Sequence, residues 1–178
     1  MVDPQLRETV GGAVVYVLCC LAILFLRILP LNLGFTGWPG PDLALCLTFA
    51  WVLRRPDLLP ALLIALMFLI EDILLMRPIG LWAAIVLTGA EAARLREFRW
   101  RDQPFMVEWL RVGVLIGAMM LGYRMVQILF LLPVPALGQV ILQFLATLSA
   151  YPLVVATAQW LFGLRRVSAA EADMIRYR

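Results

Sequence analysis

Long apolar runs alternate with short, arginine-bearing connectors along the whole chain. Six such runs are present, near 10–30, 39–53, 58–76, 79–94, 105–132 and 137–163. A membrane-crossing helix needs about 20 mostly apolar residues, so each run reads as a span, with the second and fourth short by that standard. The connectors carry turn chemistry: Trp38-Pro39-Gly40-Pro41, Arg54-Arg55-Pro56-Asp57, Arg77-Pro78 and Leu132-Pro133-Val134-Pro135. In two of them a Pro-Asp-Leu triplet, 41–43 and 56–58, is expected to open the next helix with its aspartate as N-cap. The pattern predicts an all-α integral membrane protein, a six-transmembrane-helix bundle in one membrane domain covering 1–178.

Composition agrees with that pattern. Of the 178 residues 63% are hydrophobic and only 15% charged, against roughly a quarter charged in a soluble domain. Cys19, Cys20 and Cys46 all lie inside apolar runs and read as small buried side chains, not as a disulfide or metal site. The first run lacks a small-residue cleavage site and is expected to stay in the bilayer as the first helix.

Charge placement sets the expected orientation. One face collects Arg7, Arg54, Arg55, Arg94, Arg96, Arg99, Arg101, Arg165, Arg166, Arg176 and Arg178, while the other has only Arg77 in a connector. By the positive-inside rule both termini are then cytoplasmic. Trp38, Trp100 and Trp109 fall near the expected interfaces. The segment RLREFRWRD (94–102) reads as a topology determinant on anionic membrane lipids, or as a cytoplasmic docking surface through Arg94, Arg96, Arg99 and Arg101. The formal charge of +3 is spread among connectors and does not indicate nucleic-acid binding.

Ionisable groups inside a span are rare and usually paired. Arg27, Glu71, Asp72 and Arg124 qualify, all at similar depth by helix rise, with charges that sum to zero. Adjacent Glu71 and Asp72 point about 100° apart on a helix, so they are not expected to face one partner: one would meet Arg124 and the other Arg27 or a residue on another protein. The alternatives are snorkelling to the membrane edge and a proton or solute pathway. General acid–base or nucleophilic chemistry needs further groups, and the chain has no histidine, no lysine, no metal-ligand spacing and no glycine-rich phosphate loop. No cofactor and no enzymatic activity are expected.

Two patterns point to helix contact. Gly113 and Gly117 form a GxxxG in the fifth run. In the sixth run Gln139, Gln143, Thr147 and Tyr151 recur every four residues on one helix face, ending at Pro152, which is expected to kink the helix. Both patterns suit either internal packing or a partner's membrane helix.

The region 39–94 resembles the rod shape-determining MreD family. Pro41 enters a short span, Trp51 stands near its end, and a basic turn with Pro56 follows. The next helix ends in Asp72, and a short loop leads to Gly80; Tyr151-Pro152 looks like that family's aromatic-proline pair. The third run departs from the family by having no glycine before the aspartate and by placing Glu71 beside it. The resemblance implies a non-enzymatic scaffold in the bacterial cytoplasmic (inner) membrane, part of the cell-elongation machinery. It would bind MreC and work with MreB, RodA and a penicillin-binding transpeptidase. Gly113, Gly117, Gln139, Gln143, Thr147 and Tyr151 then become candidate contacts for MreC. The alternative is the substrate-binding subunit of a vitamin-type uptake transporter, with Glu71, Asp72 and Arg124 lining an outward-facing polar pocket.

Overall fold

A computed structural model describes residues 4–29, 39–100 and 104–162. Six α-helices follow one another: α1 Pro4–Ile28, α2 Leu43–Val52, α3 Ala61–Leu74, α4 Leu81–Trp100, α5 Phe105–Leu129 and α6 Leu137–Phe162. There is no strand among the described residues. Among the described residues three stretches, Thr9–Ile28, Phe105–Leu129 and Leu137–Leu161, are long and apolar enough to cross a membrane. The chain is thus an all-helical protein of membrane character.

The shortest helix lies at the centre. α2 is apolar all round, and Ala44 to Val52 are all buried, as expected of a helix enclosed by others. It packs most extensively on α6 and also on α1 and α4, while α3 and α4 form the other large contact. The resulting core is one cluster with Trp51, Tyr16, Tyr151, Phe49 and Phe68 as its largest fully buried side chains. Outward-facing positions carry exposed apolar residues, among them Val14, Leu18 and Phe25 of α1 and Leu145, Leu153 and Trp160 of α6.

Local chemistry explains the helix ends. Asp42 caps α2 as its sequence suggests: its Oδ1 accepts from the Leu45 N–H at 3.1 Å. The second Pro-Asp-Leu triplet behaves differently. Pro56–Leu58 forms only a 3-10 turn, Asp57 faces outward to Arg55, and α3 starts later, at Ala61 behind Pro60. A second proline four residues on resets the chain and separates the turn from the helix. α3 and α5 end alike, each with a large residue in the left-handed conformation, Met76 at φ 52° and Leu131 at φ 53°. In each, the next N–H closes back over the last turn: Arg77 to the Asp72 carbonyl and Leu132 to the Gln127 carbonyl, both at 2.9 Å. That is the Schellman arrangement, usually made with glycine.

α6 runs helical through Pro152. Proline cannot donate to the carbonyl four residues back, which here belongs to Leu148. The Trp109 indole fills the vacancy, its Nε1 donating to the Leu148 oxygen at 2.9 Å. Trp109 therefore ties α5 to α6.

Successive helices alternate in direction. Arg27 near the end of α1, Asp42 before α2, Glu71 near the end of α3 and Arg77 before α4 meet at one end of the bundle. Arg124 of α5 joins Pro135, before α6, at that same end. The opposite end holds Arg54, Leu59, Arg94 and Glu108.

Candidate functional site

Three buried polar assemblies hold the bundle, and a groove opens beside one of them. The first joins Arg27, Glu71 and Arg77. Glu71 Oε1 receives Arg27 Nη1 at 2.7 Å and Arg77 Nη1 at 3.4 Å, while Arg27 lies 3.8 Å from Asp42. One carboxylate thus ties α1, α3 and the α3–α4 turn. The Arg77 guanidinium also sits 5.8 Å from the centre of the Trp82 ring, a cation–π distance. Trp82 in turn meets Tyr123 edge to face, with centroids 5.2 Å apart.

The second assembly is Asp72. It is fully buried, yet its partner is backbone, not arginine. Oδ2 accepts from the N–H groups of Gly80 at 3.1 Å and Ala83 at 3.2 Å. These are orphan donors of the first turn of α4. Gly80 precedes that helix with φ +82° and has no side chain with which to cap it, so the carboxylate from α3 caps α4 from outside. Negative charge at a helix N-terminus is also favoured by the helix dipole.

The expected cluster of Arg27, Glu71, Asp72 and Arg124 is therefore not assembled as a four-membered set. Arg27 meets Glu71, Asp72 turns onto α4, and Arg124 Nη1 donates to the Pro135 carbonyl at 2.6 Å. Arg77 takes the second arginine position. The helix end after Leu74 folds Arg77 back over Glu71, which a count of depth along separate helices does not anticipate.

The third assembly lies at the opposite end. Arg54 Nη1 reaches Glu108 Oε1 at 3.1 Å, and the Tyr151 hydroxyl donates to the same oxygen at 2.6 Å. Arg54 and Glu108 are each only 2% exposed and Tyr151 is fully buried. α2, α5 and α6 are joined here. Arg54 stands beside Arg55 in a basic connector and reads as a surface charge, which concealed its role. The available signal was Glu108, a carboxylate one turn into an apolar helix.

The helix-contact patterns resolve into internal packing. A Cβ on Gly113 would come within 2.8 Å of Leu148 Cδ1, and one on Gly117 within 3.4 Å of Phe144, so α6 occupies the GxxxG face. Thr147 Oγ1 accepts the Asp42 N–H at 3.0 Å and donates to the Gln143 carbonyl at 2.7 Å. Thr147 and Tyr151 thus serve this chain's own α2 and α5, leaving Gln139 exposed and Gln143 half-buried. Of the basic segment, Arg94 is engaged internally, donating to the Leu59 carbonyl at 2.6 Å and pairing with Glu91. Arg96 is exposed; the Arg99 side chain and Arg101 lie outside the described residues.

Arg27, Arg77, Tyr123, Gln127, Gln139 and Gln143 line a groove of about 990 Å³ at the first end. At its base a smaller pocket of about 70 Å³ is walled by Asp42, Arg77, Trp82, Tyr123, Arg124 and Gln127, among others. The three free cysteines, of which Cys20 and Cys46 are buried, do not reach either cavity. Among the described residues no group of three or more histidine, cysteine, aspartate or glutamate side chains is placed to hold a metal. No protein family, curated protein or solved structure matches the chain.

Proposed function

We propose that the protein is a non-enzymatic membrane scaffold of the MreD type, acting in bacterial cell elongation. The observation that carries the reading is where its most distinctive residues lie. Asp72 and Gly80, two landmarks of the resemblance, meet as carboxylate and helix cap. Tyr151 and Pro152, two more, join α6 to α5 through Glu108 and, by way of the Leu148 carbonyl, through Trp109. Arg27, Glu71, Asp72 and Glu108, ionisable groups within the apolar helices, tie helices to one another, which suits a scaffold.

In this reading all six helices traverse the inner membrane and both termini are cytoplasmic, with the Arg54 end inside. α2 alone is about 15 Å long, and its crossing is completed by the flanking residues 39–42 and 53–60, irregular but for the 3-10 turn at Pro56–Leu58. Such backbone is tolerated at membrane depth where protein surrounds it; Leu53, Arg54 and Leu59 are buried. A partner's membrane helix, such as that of MreC, would lie on the outward faces of α1 and α6, because the Gly113–Gly117 face is filled from within. RodA, a penicillin-binding transpeptidase and MreB complete the proposed assembly.

One observation favours the second reading, a solute-binding subunit of an uptake transporter: the groove of about 990 Å³ carries arginine and glutamine side chains among its apolar walls. Affinity capture of the tagged protein from native membranes in mild detergent, followed by mass spectrometry, separates the two. Recovery of MreC with RodA or the transpeptidase is expected. An ATPase module with a bound small molecule, and no wall-synthesis proteins, would overturn the scaffold reading.

A further inference from the structure

We infer that the groove and the pocket at its base form a binding site for a phosphate-bearing ligand. The inference does not depend on the scaffold reading. Its first ground is charge. Arg27, Arg77 and Arg124 line the two cavities, against which Asp42 and Glu71 supply two carboxylates. Glu71 is shared by Arg27 and Arg77, and Asp42 lies by Arg27. Asp72, a third carboxylate, is turned onto the backbone of α4, so arginines and carboxylates balance in number and the positive excess is local, at Arg124. Arg124 has no carboxylate within 4 Å among the described residues and meets only the Pro135 carbonyl.

The second ground is independent. Gln127 is 6% exposed and lines both cavities, yet its side-chain amide has no hydrogen-bond partner among the described residues. Trp82 lines the inner pocket, and its buried indole N–H is likewise without a partner. A buried polar group with no partner is costly, which applies to the Trp82 N–H, and a ligand oxygen would answer both it and the Gln127 amide facing the cavities. The guanidinium, amide and indole N–H groups are donors to which phosphate offers acceptors, while the Asp42 carboxylate in the inner pocket, its Oδ2 buried without a hydrogen-bond partner, is faced by Arg27 at 3.8 Å. The inner pocket has room for several water-sized groups and so for a phosphate, while the outer groove admits whatever the phosphate carries. The site lies where helices end, the level at which lipid phosphates stand in a bilayer. The phosphate therefore has two sources, a lipid headgroup or a soluble phosphate compound.

The test uses the full chain purified in neutral detergent. Native mass spectrometry measures retention of phosphatidylglycerol against diacylglycerol, which lacks the phosphate, and thermal unfolding is followed with inorganic phosphate. Retention of phosphatidylglycerol over diacylglycerol identifies a headgroup. Stabilisation by inorganic phosphate without lipid preference identifies a soluble phosphate compound. In either case Arg124→Gln should weaken binding about tenfold or more and Gln127→Leu about two- to tenfold, while Arg7→Gln leaves it unchanged. Arg124→Gln retains a donor for the Pro135 carbonyl, and Gln127→Leu leaves every arginine in place, so the two variants perturb the fold in different ways. Absence of binding by both probes, or binding that neither variant weakens, would overturn the inference.

Discussion

Replacing Glu108 by glutamine should destabilise the protein far more than its small change in shape suggests. At 3.1 Å from Arg54, with an effective dielectric of about 20, the attraction is about 5 kcal/mol before desolvation is counted. Glutamine preserves the volume and one acceptor but leaves the arginine charged and buried. That charge has little else to turn to: Arg54 Nη1 reaches the Ala50 carbonyl at 3.3 Å, and its Nε is buried without a hydrogen-bond partner. Removing one member of a buried pair costs about 3–5 kcal/mol, and the Tyr151 hydroxyl also loses a charged acceptor. The double variant Arg54→Met/Glu108→Leu should be less damaging than Glu108→Gln alone, because an apolar pair leaves no charge stranded. Adding Tyr151→Phe should recover stability further by removing the orphaned hydroxyl. Reversible unfolding in mixed micelles, with helix content read by circular dichroism, measures all of these. Glu91→Gln, at the more exposed pair with Arg94, should stay within about 1 kcal/mol of the parent. A loss below about 1 kcal/mol for Glu108→Gln, or a double variant equal to the sum of its singles, would refute the argument.

Asp72→Ala should lower stability by about 1–3 kcal/mol by uncapping α4, and Asp72→Asn by less, since one acceptor oxygen remains; Arg7→Ala should be silent, all read by thermal unfolding. Gly113→Ile should cost about 1–3 kcal/mol by driving Leu148 away, whereas Gly122→Ile, where a Cβ would meet nothing within 4 Å, should not; unfolding of the two variants in parallel decides. Trp109→Phe should cost about 1 kcal/mol and distinctly less when combined with Pro152→Ala, because an alanine N–H can serve the Leu148 carbonyl itself; a double-mutant cycle checks the coupling.

Helix count and placement were legible because apolar runs and proline-rich connectors are written into the chain locally. The Asp42 cap was legible for the same reason, its acceptor and donor being three residues apart. Partners across helices were harder. Asp72 was recognisable as a buried acid, but backbone N–H groups, its actual partners, leave no mark in a sequence. Arg77 was hidden by the turn that folds it back on Glu71, and Arg54 by its neighbour Arg55. In each case an arginine near a helix end was read by its position along the chain, while the long side chain and the turn decided where its charge went. The GxxxG face was recognised as a contact surface; that α6 fills it could be learned only from the packing.

The central place of α2 has a consequence for how the chain is made. Its partners for Asp42 and Cys46 lie 105 and 101 residues further on, at Thr147, and Arg54 awaits Glu108, 54 residues later. At a synthesis rate of about 5–20 residues per second, the Asp42–Thr147 contact becomes available about 5–20 s after Asp42 has been made. In the six-span reading α2 is until then too short to satisfy a bilayer alone and carries an acid at its head and an arginine at its tail. It must be sheltered near the insertion machinery, or beside α1 and its Tyr16–Thr48 hydrogen bond of 2.9 Å, until the last helix arrives. A chain stopped before α6 would strand α2 at that stage and become a substrate for membrane quality control.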